Sequence, residues 1–247
     1  MELIVDEGHP GTPESLWEGS SRLQRLPELR LPTVARVVVV APHPDDEVFG
    51  AAGLMQELAG RGAEVVVVGV TDGEGSHPGV PGIVPLRARE RELALARLGL
   101  GDAHVVRLGL PDGAVASRLS GLTGALRRFL RHDDLCVAPW HHDGHPDHDA
   151  AGAAAMEACA ETGSPLLQYL VWAWHWVQPD DQAIPWRRCG RLSMSRGAAD
   201  RKRWSAQAFG SQLRVSADAP RREPVLPDPV LKRLLRRHET FVDIGSS

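Results

Sequence analysis

Several features that would mark a special protein class are scarce in this chain. The three cysteines, Cys136, Cys159 and Cys189, stand far apart in 247 residues. They supply neither a disulfide framework nor a paired thiolate metal site. No apolar stretch approaches the ~20 residues needed to cross a bilayer. The opening segment, Met1 to Pro13, is acidic and has no apolar signal core, so a cytoplasmic location is expected. Basic residues are not in excess, since 28 Lys+Arg stand against 32 Asp+Glu for a net charge of −4. That balance argues against a polyanion-binding surface and so against a nucleic-acid partner. No Gly-x-Gly-x-x-Gly follows the first apolar run, so a dinucleotide site would lack its phosphate-binding turn.

What is present is an alternation of apolar runs and helical patterns. Strands are expected near 36–41, 64–70, 104–108 and 135–139, with helices near 47–59, 85–98, 115–131 and 147–161. The alternation predicts an α/β fold, a mainly parallel sheet with helices on both faces. The length suits one domain over residues 34–247, with residues 1–33, rich in Gly, Pro and Ser, as an N-terminal extension. From Gln178 onward the pattern is less regular, with helices expected near 199–212 and 228–238.

Two clusters carry chemistry. Ala41-Pro42-His43-Pro44-Asp45-Asp46-Glu47 directly follows Val37 to Val40. It puts an imidazole and two adjacent carboxylates where a buried strand ends and a Gly/Ala-rich helix begins. Open α/β sheets bind ligands at the carboxyl ends of their strands, and imidazole plus carboxylate is a donor set that catalytic zinc accepts. The same acids would also cap a helix and favour its dipole. The second cluster runs from His141 to Asp149, after the apolar stretch Leu135 to Pro139, and packs four histidines and three aspartates into nine positions. Pro146 suits the first position of a helix, and His145 and His148, three apart, share one side of its first turn. A solvated polar loop is the plainer reading of this segment. Taken together, the clusters most simply converge on one metal.

Pro42-His43-Pro44-Asp45-Asp46-Glu47 with Gly144-His145-Pro146-Asp147-His148 resembles the signature of the LmbE-like, or PIG-L-like, zinc-dependent N-deacetylases. Arg87-x-x-Glu90 with Leu98-Gly99, Leu108 to Gly113, and Lys202 through Ser211-Gln212 are lesser matches in the expected order, and the likeness spans about Val34 to Gln212. The resemblance implies a Rossmann-like three-layer α/β/α fold. It implies Zn2+ on His43, Asp46 and His148, with an open position for water, although Fe2+, Co2+ and Ni2+ tolerate similar donors. Asp45 would be the general base. His145 would stabilise the oxyanion or protonate the leaving amine, and Asp147 would orient His145. Arg87 and Asp112 match positions that contact sugar hydroxyls in the family, though an ordinary surface Arg and a turn-forming Asp would look the same.

The implied activity is hydrolysis of an N-acetyl or other small N-acyl group from a glucosamine-containing small molecule or glycoconjugate. The rival is a non-catalytic metal-binding domain that holds a glycosylated ligand or a protein partner. Asp45 argues for catalysis, because binding alone needs no spare carboxylate beside the ligands. A homo-oligomer is left open. Some relatives carry a tyrosine where this chain has Asp143, so an oxyanion contact from that hydroxyl must come from elsewhere, with His141 and His142 as candidates. Glu47 is expected to be structural. In Tyr169 to Trp176, strand spacing would set Trp172, Trp174 and Trp176 on one face and His175 on the other. Such a stripe fills a core or stacks on flat ligands.

Overall fold

The structure is a computed structural model that describes residues 11–179, 181–215 and 223–243. The helices are α1 (Glu14–Glu18), α2 (Ser21–Gln24), α3 (Asp46–Gly60), α4 (Ile83–Leu98), α5 (Leu119–Phe129), α6 (Pro146–Thr162), α7 (Ala173–Trp176), α8 (Arg196–Ala206), α9 (Gly210–Leu213) and α10 (Asp228–Leu234). The strands are β1 (Arg36–Ala41), β2 (Glu64–Thr71), β3 (His104–Leu110), β4 (Leu135–Pro139), β5 (Leu166–Tyr169), β6 (Cys189–Ser193) and β7 (His238–Asp243). They form a seven-stranded sheet in the order β3-β2-β1-β4-β5-β7-β6. The first five strands run parallel. β7 is antiparallel to both β5 and β6.

The valine run of β1 is buried on both sides. Side chains alternate across a strand. Val37 and Val39 therefore meet Leu54, Met55 and Leu58 of α3 and Leu95 and Leu98 of α4 in one core. Val38 and Val40 meet Leu122 and Leu126 of α5 and the alanines of α6 in the other. Helices thus cover both faces, and no alternating polar pattern is needed. The chain leaves β1 for β2 on one side, while β4 lies on the other. The carboxyl ends of β1 and β4 flank the crevice where such sheets bind ligands. Both His/Asp clusters emerge there.

α3 packs close to the sheet through small residues, and a methyl at Gly50 would collide with the Tyr169 ring. The helix breaks at Ala51 (φ −140°, ψ 17°). Glu239 of β7 accepts the amides of Gly53 and Leu54 at 2.8 and 3.1 Å, and Lys202 of α8 donates to Phe49 O at 2.8 Å and to Glu239 at 2.7 Å. A buried ion pair from the late part of the chain therefore replaces the broken ladder.

Three expectations need correction. The helix expected over 199–212 ends at Ala206 and resumes only as the short α9. The helix expected over 228–238 stops at Leu234, and the chain returns as β7, which pairs in register with β5 and β6. Tyr169 to Trp176 is not a strand beyond Tyr169, because the chain turns into α7. The cause is Asp143, whose carboxylate accepts the amides of Val171, Trp172 and Ala173 at 2.9, 2.9 and 3.0 Å. Donors that a sheet ladder would use are spent on one side chain. Trp174 consequently packs edge-on against Trp17 at 4.9 Å, while Trp172 lies near His145 at 6.2 Å. His175 is buried beside Arg233 at 2.7 Å and belongs to neither possible metal-ligand group. Among the described residues, no helix is long and apolar enough to cross a membrane.

Candidate metal centre and active site

β1 ends at Ala41 and α3 starts at Asp46, so His43 and Asp45 occupy the connecting turn. β4 ends at Pro139, and α6 starts at Pro146 with His145 as its N-cap. The two turns bring His43, Asp46 and His148 together, with one possible ligand atom from each lying within 4.8 Å of the others. Asp46 Oδ2 is 3.2 Å from His43 Nδ1 and 3.2 Å from His148 Nε2. It also accepts the His43 amide at 2.8 Å, which fixes its orientation.

His148 is fully buried, and although its Nε2 lies near Asp46 it makes no hydrogen bond. Its other nitrogen, Nδ1, pairs with Asp143 at 2.8 Å. A carboxylate behind an imidazole whose second nitrogen is left without a hydrogen-bond partner is the arrangement that supports a metal ligand. His43, His145 and Asp147 form a second possible group. There the Asp147 carboxylate is already taken by the amides of Gly113 and Val115 at 2.7 and 3.1 Å. The first group fits a divalent ion better.

Electrostatics agree. Burial opposes charge on His148, yet Asp46 and Asp143 raise its pKa to about 9. Burial likewise opposes charge on His43, but hydrogen bonds to Asp112, Asp147 and Asp46 hold it well above its ordinary value. Asp46 is also penalised by burial, and the two imidazoliums keep it well below the carboxylate range. The cluster therefore demands positive charge at its centre. A divalent ion would supply it with both rings neutral.

Asp45 lies beside this centre. Burial raises its carboxyl to about 7, against the opposing charge of Arg87. Arg87 is itself buried and is committed to holding the turn. It donates to Asp45 Oδ2 and Pro44 O at 3.1 Å each, and to Gly73 O at 2.8 Å. Gly73 has φ +71°, and any side chain there would strike the guanidinium. Asp112 accepts the Gly75 amide at 2.8 Å and lies 3.2 Å from His43 Nε2. Burial works against its charge, but His43 brings it down to about 2. Arg87 and Asp112 both line the cavity, though each already has protein partners.

His145 Nδ1 accepts the backbone N–H of Asp147 at 3.2 Å. Its proton therefore sits on Nε2. Burial, reinforced by His43 and His148, pushes its pKa down to about 3. The expectation that the Asp147 carboxylate orients His145 is corrected in detail, because that carboxylate lies 3.3 Å from His43 Nε2 and only the amide reaches His145. His141 pairs with Gln168 at 2.7 Å and His142 is exposed, so neither takes the place of the absent tyrosine. Glu47 is buried against Arg91 at 3.2 Å.

The centre opens into a cavity of about 400 Å3 lined by His43, Asp45, Asp46, Arg87, Asp112 and His145, with Trp172 and Gln212 among further residues. Sequence reasoning gave no role to Asp143 or Gln212, and left Trp172 between core packing and stacking on a ligand. For Asp143 a signal existed, since a ligating histidine usually has a carboxylate partner.

Residues 38–159 match the family model PIG-L, GlcNAc-PI de-N-acetylase. The chain carries a PIG-L domain. Over 138 residues it is 32% identical to a diacetylchitobiose deacetylase of Thermococcus kodakarensis, covering 53% of this chain and 52% of that protein. Over 150 residues it is 36% identical to a 1D-myo-inositol 2-acetamido-2-deoxy-alpha-D-glucopyranoside deacetylase of Nakamurella multipartita, covering 55% and 47%. The chain thus spans about half the length of these relatives. Among solved structures, the conserved protein TT1542 from Thermus thermophilus superposes with a TM-score of 0.61 at 26% identity, over 87% of this chain and 96% of that one. The zinc-inhibited form of teicoplanin deacetylase Orf2 superposes at 0.62 and 17% identity, over 84% and 97%, and supports the fold of the PIG-L domain alone.

Proposed function

We propose that the protein is a metal-dependent N-deacetylase that hydrolyses the amide of an N-acetyl or other small N-acyl group on a glucosamine-containing small molecule or glycoconjugate. The observation that carries the reading is the buried His148 Nε2, without a hydrogen bond and aimed at Asp46 and His43, with Asp45 as a spare carboxylate beside it. His43, Asp46 and His148 would hold the ion; Zn2+ accepts this donor set, as do Fe2+, Co2+ and Ni2+. When bound, it supplies Lewis acidity and makes a neighbouring water more acidic. Asp45, held by Arg87, accepts the proton of the attacking water. The water oxygen adds to the acyl carbon, the proton taken up by Asp45 passes to the nitrogen as the C–N bond breaks, and a short carboxylic acid and a free amine leave. His145, with its proton on Nε2, donates a hydrogen bond to the developing oxyanion. Asp147 and Asp112 position His43.

The names of the relatives support an amino-sugar substrate. We also place the enzyme in the cytoplasm, as a single domain over residues 34–247 preceded by the extension 1–33. A metal-analysed sample tested on N-acetylglucosamine, its glycosides, N-acylated glycopeptides and acetyl-peptides, with free amine read by mass spectrometry, decides the activity. Amine release from an amino sugar in a chelator-sensitive manner is the expected result. Inactivity of a metal-loaded, folded sample on every amide would leave only a binding function.

A further inference from the structure

The cavity is chemically two-sided. One wall is polar: Arg87 holds Asp45, and Ser76, Asp112 and the Gly75 amide lie beside them. The other is apolar, formed by Phe49, Val171, Trp172, Val225, Leu226 and Leu234. Phe49, Val171, Leu226 and Leu234 are buried and add no polar side chain. Trp172 places this wall next to His145, since their rings lie 6.2 Å apart at 26°. Fold and packing explain only part of it. Trp172 and Val225 remain partly accessible while packing on the core, and three separate elements, α3, α7 with its approach, and α10 with its approach, converge there.

A sugar or polyol against such a wall would leave hydroxyls without partners, which is costly once water is excluded. We propose that the wall is a subsite for an apolar group of several carbons carried by the amino-sugar substrate, on either its acyl or its glycosidic side. The proposal rests on the amide-hydrolase reading above and narrows it: small, fully polar conjugates are poor substrates, and alkylated or arylated ones are good. Each methylene buried from water is worth about a fourfold gain, so a chain of several carbons has a measurable effect even when partly seated.

The test uses the intact, metal-loaded chain and two matched series. In one, the acyl group on methyl glucosaminide runs from acetyl to hexanoyl; in the other, the glycoside of N-acetylglucosamine runs from methyl to hexyl. A rise in kcat/KM of roughly 10-fold or more along one series is expected, and the series that responds identifies which side of the substrate the wall receives. Val225→Asp should bring the long-to-short ratio of that series to within about threefold of one. Ratios within threefold in both series would overturn the proposal. If no amide is cleaved, calorimetric binding of the longest against the shortest member of each series decides separately. Chain-length-dependent affinity then retains the subsite while the hydrolase reading falls, and equal affinities refute the subsite too.

Discussion

Asp143→Asn tests how the loop after β4 builds the site. The carboxylate is fully buried and surrounded by four donors, with no solvent to compensate a change. Oδ1 accepts the amides of Val171 and Ala173 at 2.9 and 3.0 Å, and Oδ2 accepts the Trp172 amide at 2.9 Å and faces His148 Nδ1 at 2.8 Å. An Asn side chain keeps the shape, but it turns one oxygen into a donor. With its nitrogen at the Oδ1 position, the Val171 and Ala173 amides lose their acceptor; at the Oδ2 position the Trp172 amide does, and His148 must turn Nδ1 into an acceptor. At about 1–3 kcal/mol for each buried donor left unsatisfied, the cost is about 1–6 kcal/mol of stability. Loss of the carboxylate behind His148 should weaken metal binding by about 10–100-fold. Urea unfolding of the metal-free protein reads the first effect, and competition with a chelating indicator reads the second. Unchanged unfolding together with metal affinity within about twofold of the parent would refute the reasoning.

Asp45→Asn should keep its metal and lose about 10²–10⁴-fold in turnover, the range for a removed general base, as read by single-turnover kinetics on metal-loaded protein. Arg87→Ala should lower kcat more than it raises KM, because the guanidinium holds Asp45 and Pro44 O; a pure KM effect would instead return Arg87 to direct substrate contact.

The first four strands of the sheet and both clusters were legible because their signals are local. The valines of β1 read as a strand buried on both faces, and Pro146 marked the start of α6 within the stretch that carries His145 and His148. The strands that join them at the switch point follow from the alternation of elements. Asp143 was hidden because its partners lie at 171–173, where an alternating Trp pattern reads as a strand until those amides are known to be taken. β7 was hidden because Leu231 to Arg237 continues a helical pattern into it, and its pairing with β5 and β6 is fixed only by distant residues. Arg87 was recognised as important but assigned outward, since nothing in the sequence shows that its guanidinium turns inward onto Asp45. The apolar wall joins residues from 49 to 234, a distance over which sequence carries no pattern.

The most direct test of the metal centre is elemental analysis after equilibrium dialysis of the parent protein and of His43→Ala, Asp46→Ala and His148→Ala. Close to one divalent ion per parent chain is expected, with each variant losing occupancy at metal concentrations that saturate the parent. Full-affinity binding in all three variants would contradict the assignment.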